Sequence, residues 1–281
     1  MKVYSHKEIS DPHRLKNISQ YTKPLEALQI PYWIFEKDEA LIGLVAVGRE
    51  PLKLIAPPGT PLAIIHLVDP IQVRKVLGQF STKALKIGTE RNVDYIVVTA
   101  PYKEKEITNQ FQNLNFETFD DAYRMACSLE KPFRTSDRLQ FRKIKETQLR
   151  DFLEMAPDFL QGSPDVTLRK ALQYMGDLPD KLLHIYHRQE AFYYAKKNDQ
   201  NVGILTLNFD EDLISNIGVK PAERGKGYGR EIMIYGLSKL KEEGSKQAYL
   251  RVHVDNAPAI GLYESVGFSK IERFITLLWK K

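Results

Sequence analysis

The stretch "RGKGYGREIM", residues 224–233, sets three glycines among basic residues at the start of an apolar segment. It follows "LISNIGV" (213–219), an apolar run that Pro221 stops. Proline cannot donate to a strand ladder, so the run reads as a strand ending there. Beyond the loop, Met233, Leu237 and Leu240 recur on one face of a helix, and Gly244 suits the position just past its end. Strand, glycine loop and helix start together make a setting in which main-chain N–H groups converge on an anion. A helix N-terminus leaves four such groups unpartnered at the positive end of its dipole. Gly225, Gly227 and Gly229 remove the side chains that would hold a phosphate off the main chain, and Arg224, Lys226 and Arg230 add charge around it. The expected ligand therefore carries phosphate, most simply a pyrophosphate spanning several amides. A Walker loop, G-x-x-x-x-G-K-[ST], does not occur. A dinucleotide loop needs G-x-G-x-x-G near the first strand, whereas this loop is G-x-G-x-G and late in the chain. The pattern R-x-x-G-x-G is met by Arg224, Gly227 and Gly229.

Outward from the loop, the chain repeats itself faintly. "DEALIGLVAV" (38–47) is similar to "DQNVGILTLN" (199–208), each a polar turn entering a strand around Gly43 or Gly203. "AIIHLVDP" (63–70) matches "ISNIGVKP" (214–221), "VDYIVVTAP" (93–101) matches "QAYLRVHVD" (247–255), and "NQFQNLNF" (109–116) matches "GLYESVGF" (261–268). The offset between copies stays nearly constant, so two runs of one strand-helix-strand plan fit the length, joined near "LEKPFRTSD" (129–137). In the first copy Leu77, Phe80, Ala84 and Ile87 form the helical stripe, with Gly88 as its expected stop. The second copy opens on "RLQFRKIKE" as a strand, followed by a helix with Thr147 as N-cap. A further helix, "DVTLRKALQYM", aligns Leu168, Ala171, Leu172 and Met175. Strands alternating with helices predict an α/β or α+β fold.

The composition, 43% hydrophobic and 27% charged, is that of a globular chain able to bury a core. No apolar run approaches the ~18 residues of a membrane span, and "MKVYSHKEIS" lacks the apolar centre of a signal peptide, so no membrane and a cytoplasmic site are expected. The single cysteine, Cys127 in "YRMACSLE", excludes an internal disulfide and a cysteine-cluster metal site, and reads as a buried small hydrophobe. A net charge of +5 is mild, and without a run of like charge or zinc-finger spacing no nucleic acid is expected as partner.

On these residues the chain resembles the GNAT-type N-acetyltransferases. "VKPAERGKGYG" (219–229) is similar to their coenzyme A pyrophosphate loop. "LRVHVDNAPAIGLYESVGF" (250–268) is similar to their second motif, L-x-V-x-x-x-N-x-x-A-x-x-L-Y-E-x-x-G-F, through Leu250, Val252, Asn256, Ala259, Leu262, Tyr263, Glu264, Gly267 and Phe268. The resemblance covers 133–281 well and the first half more faintly. It implies two tandem GNAT-like domains, each a central mixed β-sheet flanked by helices, with 1–132 degenerate and without a cofactor loop and 133–281 active. It implies acetyl-CoA as co-substrate, no metal, and an unidentified amine acceptor, small molecule or peptide; it leaves open a homodimer.

The resemblance also implies roles. An amine attacks the thioester directly and must first lose a proton, since a lysine-like amine has a pKa of about 10.4. A carboxylate, often through water, serves as base, and Glu211 and Asp212, on the strand approach "FDEDLISN", are the candidates. The main chain of Ile217, Gly218 and Val219 would hold the acetyl and pantetheine groups, with the Val219 amide facing the oxyanion. The loop from Arg224, Gly225, Lys226, Gly227, Tyr228 and Gly229 to Arg230 would take the pyrophosphate. Asn256 matches the side chain that binds the pantetheine arm, and Tyr263 the phenol that protonates the leaving thiolate. Each residue has a plainer alternative. Tyr263 suits packing on a helix face, Asn256 suits an N-cap with Pro258 just inside, and Glu211 and Asp212 suit a solvated turn. His253 reads as structural; His184 and His187, three apart, lack a third ligand nearby, so no metal is expected.

The first copy departs from the pattern. With Pro70 aligned on Pro221, Val73 stands opposite Arg224 and Val76 opposite Gly227, and only Gly78 survives opposite Gly229. Phe111 stands where Tyr263 stands, and either Glu104 or Tyr102 faces Asn256. A valine at the place of close approach would push a pyrophosphate away.

Overall fold

Two-residue turns set the register in both halves. Asp38 and Glu39 (φ 48° and 64°) and Asn198 and Asp199 (φ 46° and 64°) all adopt the left-handed conformation. This is the geometry that joins antiparallel strands without splaying them. The computed structural model containing these turns describes residues 1–8, 18–50, 55–172 and 175–281.

The chain forms two compact units. The first takes Met1–Asp121 and Arg273–Lys281, and the second Ala122–Glu272. Strands of the first unit are β1 (Lys2–Ser5), β2 (Tyr32–Lys37), β3 (Ala40–Arg49), β4 (Pro61–Leu67) and β5 (Tyr95–Pro101), with helices α1 (Ser19–Ala27), α2 (Pro70–Arg74), α3 (Leu77–Glu90) and α4 (Lys105–Gln112). Strands β1 to β5 lie side by side in chain order. The β4–β5 pair is parallel and the others antiparallel. Its core gathers Phe35, Phe80, Ile96, Phe111 and Leu277.

The second unit holds β6 (Glu117–Ser128) from Ala122 onward, β7 (Gln140–Lys143), β8 (Ala191–Lys197), β9 (Gln200–Asn208), β10 (Leu213–Val219) and β11 (Gln247–His253). Their order is β6-β11-β10-β9-β8-β7. Helices α5 (Leu149–Leu160), α6 (Val166–Leu172) and α7 (Asp180–Gln189) precede β8, α8 (Tyr228–Glu242) links β10 to β11, and α9 (Ala257–Ser265) follows β11. On one face Leu205, Ile214, Ile232, Leu237 and Leu250 form the core under α8. On the other, the Phe152 and Phe159 rings of α5 pack against Phe192 and Tyr194 of β8.

The repeat is real in three dimensions. A Cβ on Gly43 would lie 2.7 Å from the Phe80 ring of α3, and one on Gly203 would lie 2.4 Å from Ile232 of α8. Each unit thus lays its long helix against a strand at a glycine, where only a bare backbone fits.

Three expectations need correction. The units do not divide at 129–137. Residues 122–128 of β6 pair with β11, while 274–280 of the last strand, β12 (Ser269–Lys280), pair with β5. The last strand of each copy therefore serves the other unit. Gly88 does not stop α3; it lies inside the helix, where a Cβ would meet Ile96 at 2.7 Å, and the left-handed Asn92 follows the helix end. Thr147 is not an N-cap; it sits in a 3-10 turn, Glu146–Gln148, that leads into α5. For "DVTLRKALQYM", α6 carries the first part, residues 173–174 lie outside those described, and Met175 begins a 3-10 turn.

Candidate active site

Strands β10 and β11 share a single register pair, Leu213↔Tyr249, and diverge beyond it. On its other edge β10 stays paired with β9 to its end, Asn216↔Thr206 and Gly218↔Ile204 included, and the Lys220 amide donates to the Val202 carbonyl at 3.0 Å. Bonded residues alternate along an antiparallel strand, so Asn216, Gly218 and Lys220 face β9. Ile217 and Val219 turn their main-chain groups the other way, into the opening left by β11. The Val219 carbonyl is taken there by Arg224 Nε at 3.0 Å.

Helix α8 begins at the same end of β10. Gly227 is its N-cap with φ 85°, and no side chain caps it. Gly225, with φ 77°, is left-handed as well. The first amides bonded inside the helix are those of Arg230 and Glu231, both to the Gly227 carbonyl, and those before them have no acceptor within the helix. The loop's side chains do less than the sequence suggested. Arg224 reaches the carbonyls of Val219, Gln161 and Phe159 and so ties the end of α5 to the end of β10. Arg230 reaches the carbonyl and hydroxyl of Ser265 at the end of α9. Lys226 pairs with Glu223 at 2.9 Å on the surface. A residue with no motif to announce it, Arg138, donates to the Lys226 carbonyl and comes 3.4 Å from where a Gly227 Cβ would stand. Tyr228, the first helical residue, is buried under it.

Asn256 is a cap in the structure. Its Oδ1 accepts from the Ala259 amide at 3.3 Å as the N-cap of α9, and its amide nitrogen remains a donor. Tyr263, on the same helix, is only 8% exposed and lies 6.1 Å from the Phe268 ring. Burial pushes its phenol up to about 12, so it is a protonated donor at neutral pH.

Asp212 lies elsewhere. It precedes β10, with φ 54°, and its carbonyl accepts from the Tyr249 amide at 2.8 Å. Seven residues at the strand rise put it about 20 Å from Val219. It opens instead on a wide concavity with Lys241 and Tyr249. Glu211, beside it, is bonded through its amide to Asn208. His253 stays structural, its Nδ1 accepting from the Asp255 amide. His184 and His187 both approach Glu146, at 2.9 and 3.9 Å. No group among the described residues is arranged to hold a metal ion.

A narrow pocket opens between the sheet and α5, α6 and α7. Phe152, Leu160 and Phe192 make it apolar, and Tyr186, Thr206 and Asn216 bring its polar atoms. At its edge β10 bulges between Ile214 and Asn216. The extra residue, Ser215, donates to Glu190 Oε1 at 2.8 Å. Glu190 follows α7, and burial raises its carboxyl pKa. Nothing in the sequence around "HRQEAF" marks this pair. Nearby, Arg251 of β11 pairs with the buried Asp165, which also caps α6 through the Leu168 amide.

In the first unit the matching positions are built differently. Val76 is the N-cap of α3 with φ −132°, where Gly227 has 85°. Val73 is fully buried in the core. Phe111 packs on Phe116 at 5.1 Å, as Tyr263 does on Phe268. Glu104, with φ −86° and ψ 61°, is the counterpart of Asn256, with φ −85° and ψ 62°, which settles the choice against Tyr102. Its carboxylate pairs with Arg74.

Residues 153–268 match the Acetyltransferase (GNAT) family. The [ribosomal protein bS18]-alanine N-acetyltransferase of Escherichia coli (strain K12) is 33% identical over 113 residues, 34% of this chain and 76% of that one. The mycothiol acetyltransferase of Actinosynnema mirum is 32% identical over 80 residues, 28% of this chain but only 24% of that relative's length. Among solved structures, a GCN5-related N-acetyltransferase from Sphaerobacter thermophilus superposes with a TM-score of 0.66 at 12% identity, over 99% of this chain and 95% of the other. A tandem GNAT protein from the clavulanic acid biosynthesis pathway gives a TM-score of 0.62 at 14% identity, over 89% and 82%. At such identities the likeness is one of fold.

Proposed function

The chain belongs to the GNAT acetyltransferase family, and from that premise we propose that its second unit moves the acetyl group of acetyl-CoA onto a primary amine by direct attack in a ternary complex. The observation that carries this reading is the divergence of β10 from β11 beside the uncapped start of α8. The loop amides take the pyrophosphate, where Gly225 and Gly227 keep side chains away. Ile217 and Val219 bind the pantetheine arm and acetyl group, and the Val219 amide stabilises the oxyanion of the tetrahedral intermediate. Asn256 contributes its amide nitrogen to the arm, and Tyr263 protonates the leaving sulfur. Burial holds the phenol high, and it raises the pKa of an enclosed thiol in the same direction, so the two remain matched. Asp212 has no part in this proposal, because it stands at the far end of β10.

In the first unit Val76 and Phe111 replace the two residues the chemistry needs, and we assign it no cofactor site. Calorimetric titration with acetyl-CoA tests both halves. One site per chain is expected, abolished in Gly227→Glu, where a carboxylate is forced into a left-handed position facing phosphate. Two sites, or a Gly227→Glu protein that binds normally, would overturn the assignment. The relatives are named for an alanine of ribosomal protein bS18 and for mycothiol. For this chain they support an amine acceptor and no more specific one.

A further inference from the structure

The acyltransferase reading lacks a proton acceptor, and the following inference rests on that reading. We propose that Glu190, acting through the hydroxyl of Ser215, is the carboxylate that takes the proton from the acceptor amine. The bulge in β10 turns Ser215 out of the pairing with β9 and toward Glu190. Ser215 adjoins Asn216, which lines the apolar pocket under α5 and α7, and precedes Ile217 by two residues. Two residues at the strand rise are about 7 Å, so an acceptor nitrogen lying over β10 between Ser215 and Ile217 reaches both the hydroxyl and a thioester carbonyl held along Ile217 and Val219. The groups facing Glu190 are Tyr186 from its own helix, Ser215 from β10 and Glu211 from the β9–β10 turn. Burial raises the Glu190 carboxyl most, the Ser215 hydrogen bond opposes it, and Glu211 adds to the rise. A carboxylate lifted toward neutrality is better matched to proton transfer than an ordinary one. Its half-buried charge also attracts an ammonium group.

The steps balance. Glu190 takes the Ser215 hydroxyl proton as Ser215 Oγ takes one from the ammonium. The freed nitrogen lone pair forms the N–C bond to the thioester carbonyl carbon. The C–S bond then breaks and coenzyme A leaves as thiolate. The nitrogen's second proton ends on that sulfur by way of Tyr263, and Glu190 releases the first to solvent. The products are an amide, the coenzyme A thiol and one proton.

The test measures coenzyme A release with leucinamide, phenylalaninamide and glycinamide as acceptors, across pH. Glu190→Gln should lower kcat about 100-fold, the scale of general base catalysis. It should also remove the acid limb of the pH–rate profile and leave acetyl-CoA affinity within about twofold of wild type. Glu190→Asp should keep the acid limb, and Ser215→Ala should lose less rate than Glu190→Gln. An unchanged rate or a surviving acid limb in Glu190→Gln overturns the assignment. So does a protein that binds acetyl-CoA and acetylates none of the three. A wild-type protein that does not bind acetyl-CoA at all marks instead the failure of the acyltransferase reading, and the inference falls with it.

Discussion

Tyr263 combines two demands in one side chain, since its ring belongs to the core of the second unit and its hydroxyl is assigned to the leaving sulfur. Tyr263→Phe separates them. The ring and its packing on Phe268 survive, so folding and acetyl-CoA affinity should stay near wild type, while kcat falls about 100-fold for want of a general acid. With the phenol raised to about 12, the wild-type rate should show no alkaline limb from this residue between pH 7 and 10. Stopped-flow detection of free thiol checks both, and normal thiol release in the variant would sink the role. The place of Tyr263 on α9 was legible in the sequence because a motif fixes it relative to Asn256 and Gly267. Glu190 was not, because its function depends on a bulge two strands away in the sheet, and a bulge leaves no spacing to read. Asp212 misled for a related reason. Proximity in sequence to the strand concealed that a strand carries its first residue far from its last.

At the scale of elements, the loop before α8 is held less by its charges than by what they grip. The Arg224 guanidinium binds carbonyls at the ends of α5 and β10. If it served chiefly as a cation for phosphate, Arg224→Lys would keep most of the acetyl-CoA affinity. A fork gripping three carbonyls cannot be replaced by a point donor. Arg224→Lys is therefore expected to lose stability nearly as much as Arg224→Ala, by about 1–3 kcal/mol for carbonyls left without their donor. Affinity should weaken in parallel as Val219 loses its anchor. Urea denaturation beside calorimetric titration reads both, and a lysine variant with wild-type values would return Arg224 to the phosphate. The sequence revealed α8 itself, since its apolar stripe and Gly244 are local features. It hid the ends of α3 and α5. Gly88 is a glycine for contact with Ile96 and not for a turn, and the two uses look alike in a string of letters.

At the scale of the whole molecule, duplication was legible and membership was not. The periodic apolar pattern of a strand states which face is buried but not which neighbour it joins. Residues 122–128 and 274–280 have the same kind of pattern, and each pairs outside the copy it ends. Arg273 marks the crossing into the first unit, where its guanidinium makes a two-pronged pair with Asp121 and stacks 3.8 Å over the Tyr102 ring. Leu277 is fully buried in the first unit's core, opposite Val98 of β5. Although it lies beyond every motif of the second copy, Leu277→Ala should weaken the first unit, by about 2–5 kcal/mol for a fully buried leucine. Hydrogen exchange followed by mass spectrometry assigns the loss to a place. Peptides from α3, α4 and β5 should exchange faster, while those from β8, β9 and α8 keep their protection. Acetyl-CoA affinity should then persist under conditions where the first unit has begun to open. Loss of protection confined to α8 and β9 would mean that the last strand belongs to the copy that precedes it, and that the units divide in sequence order after all.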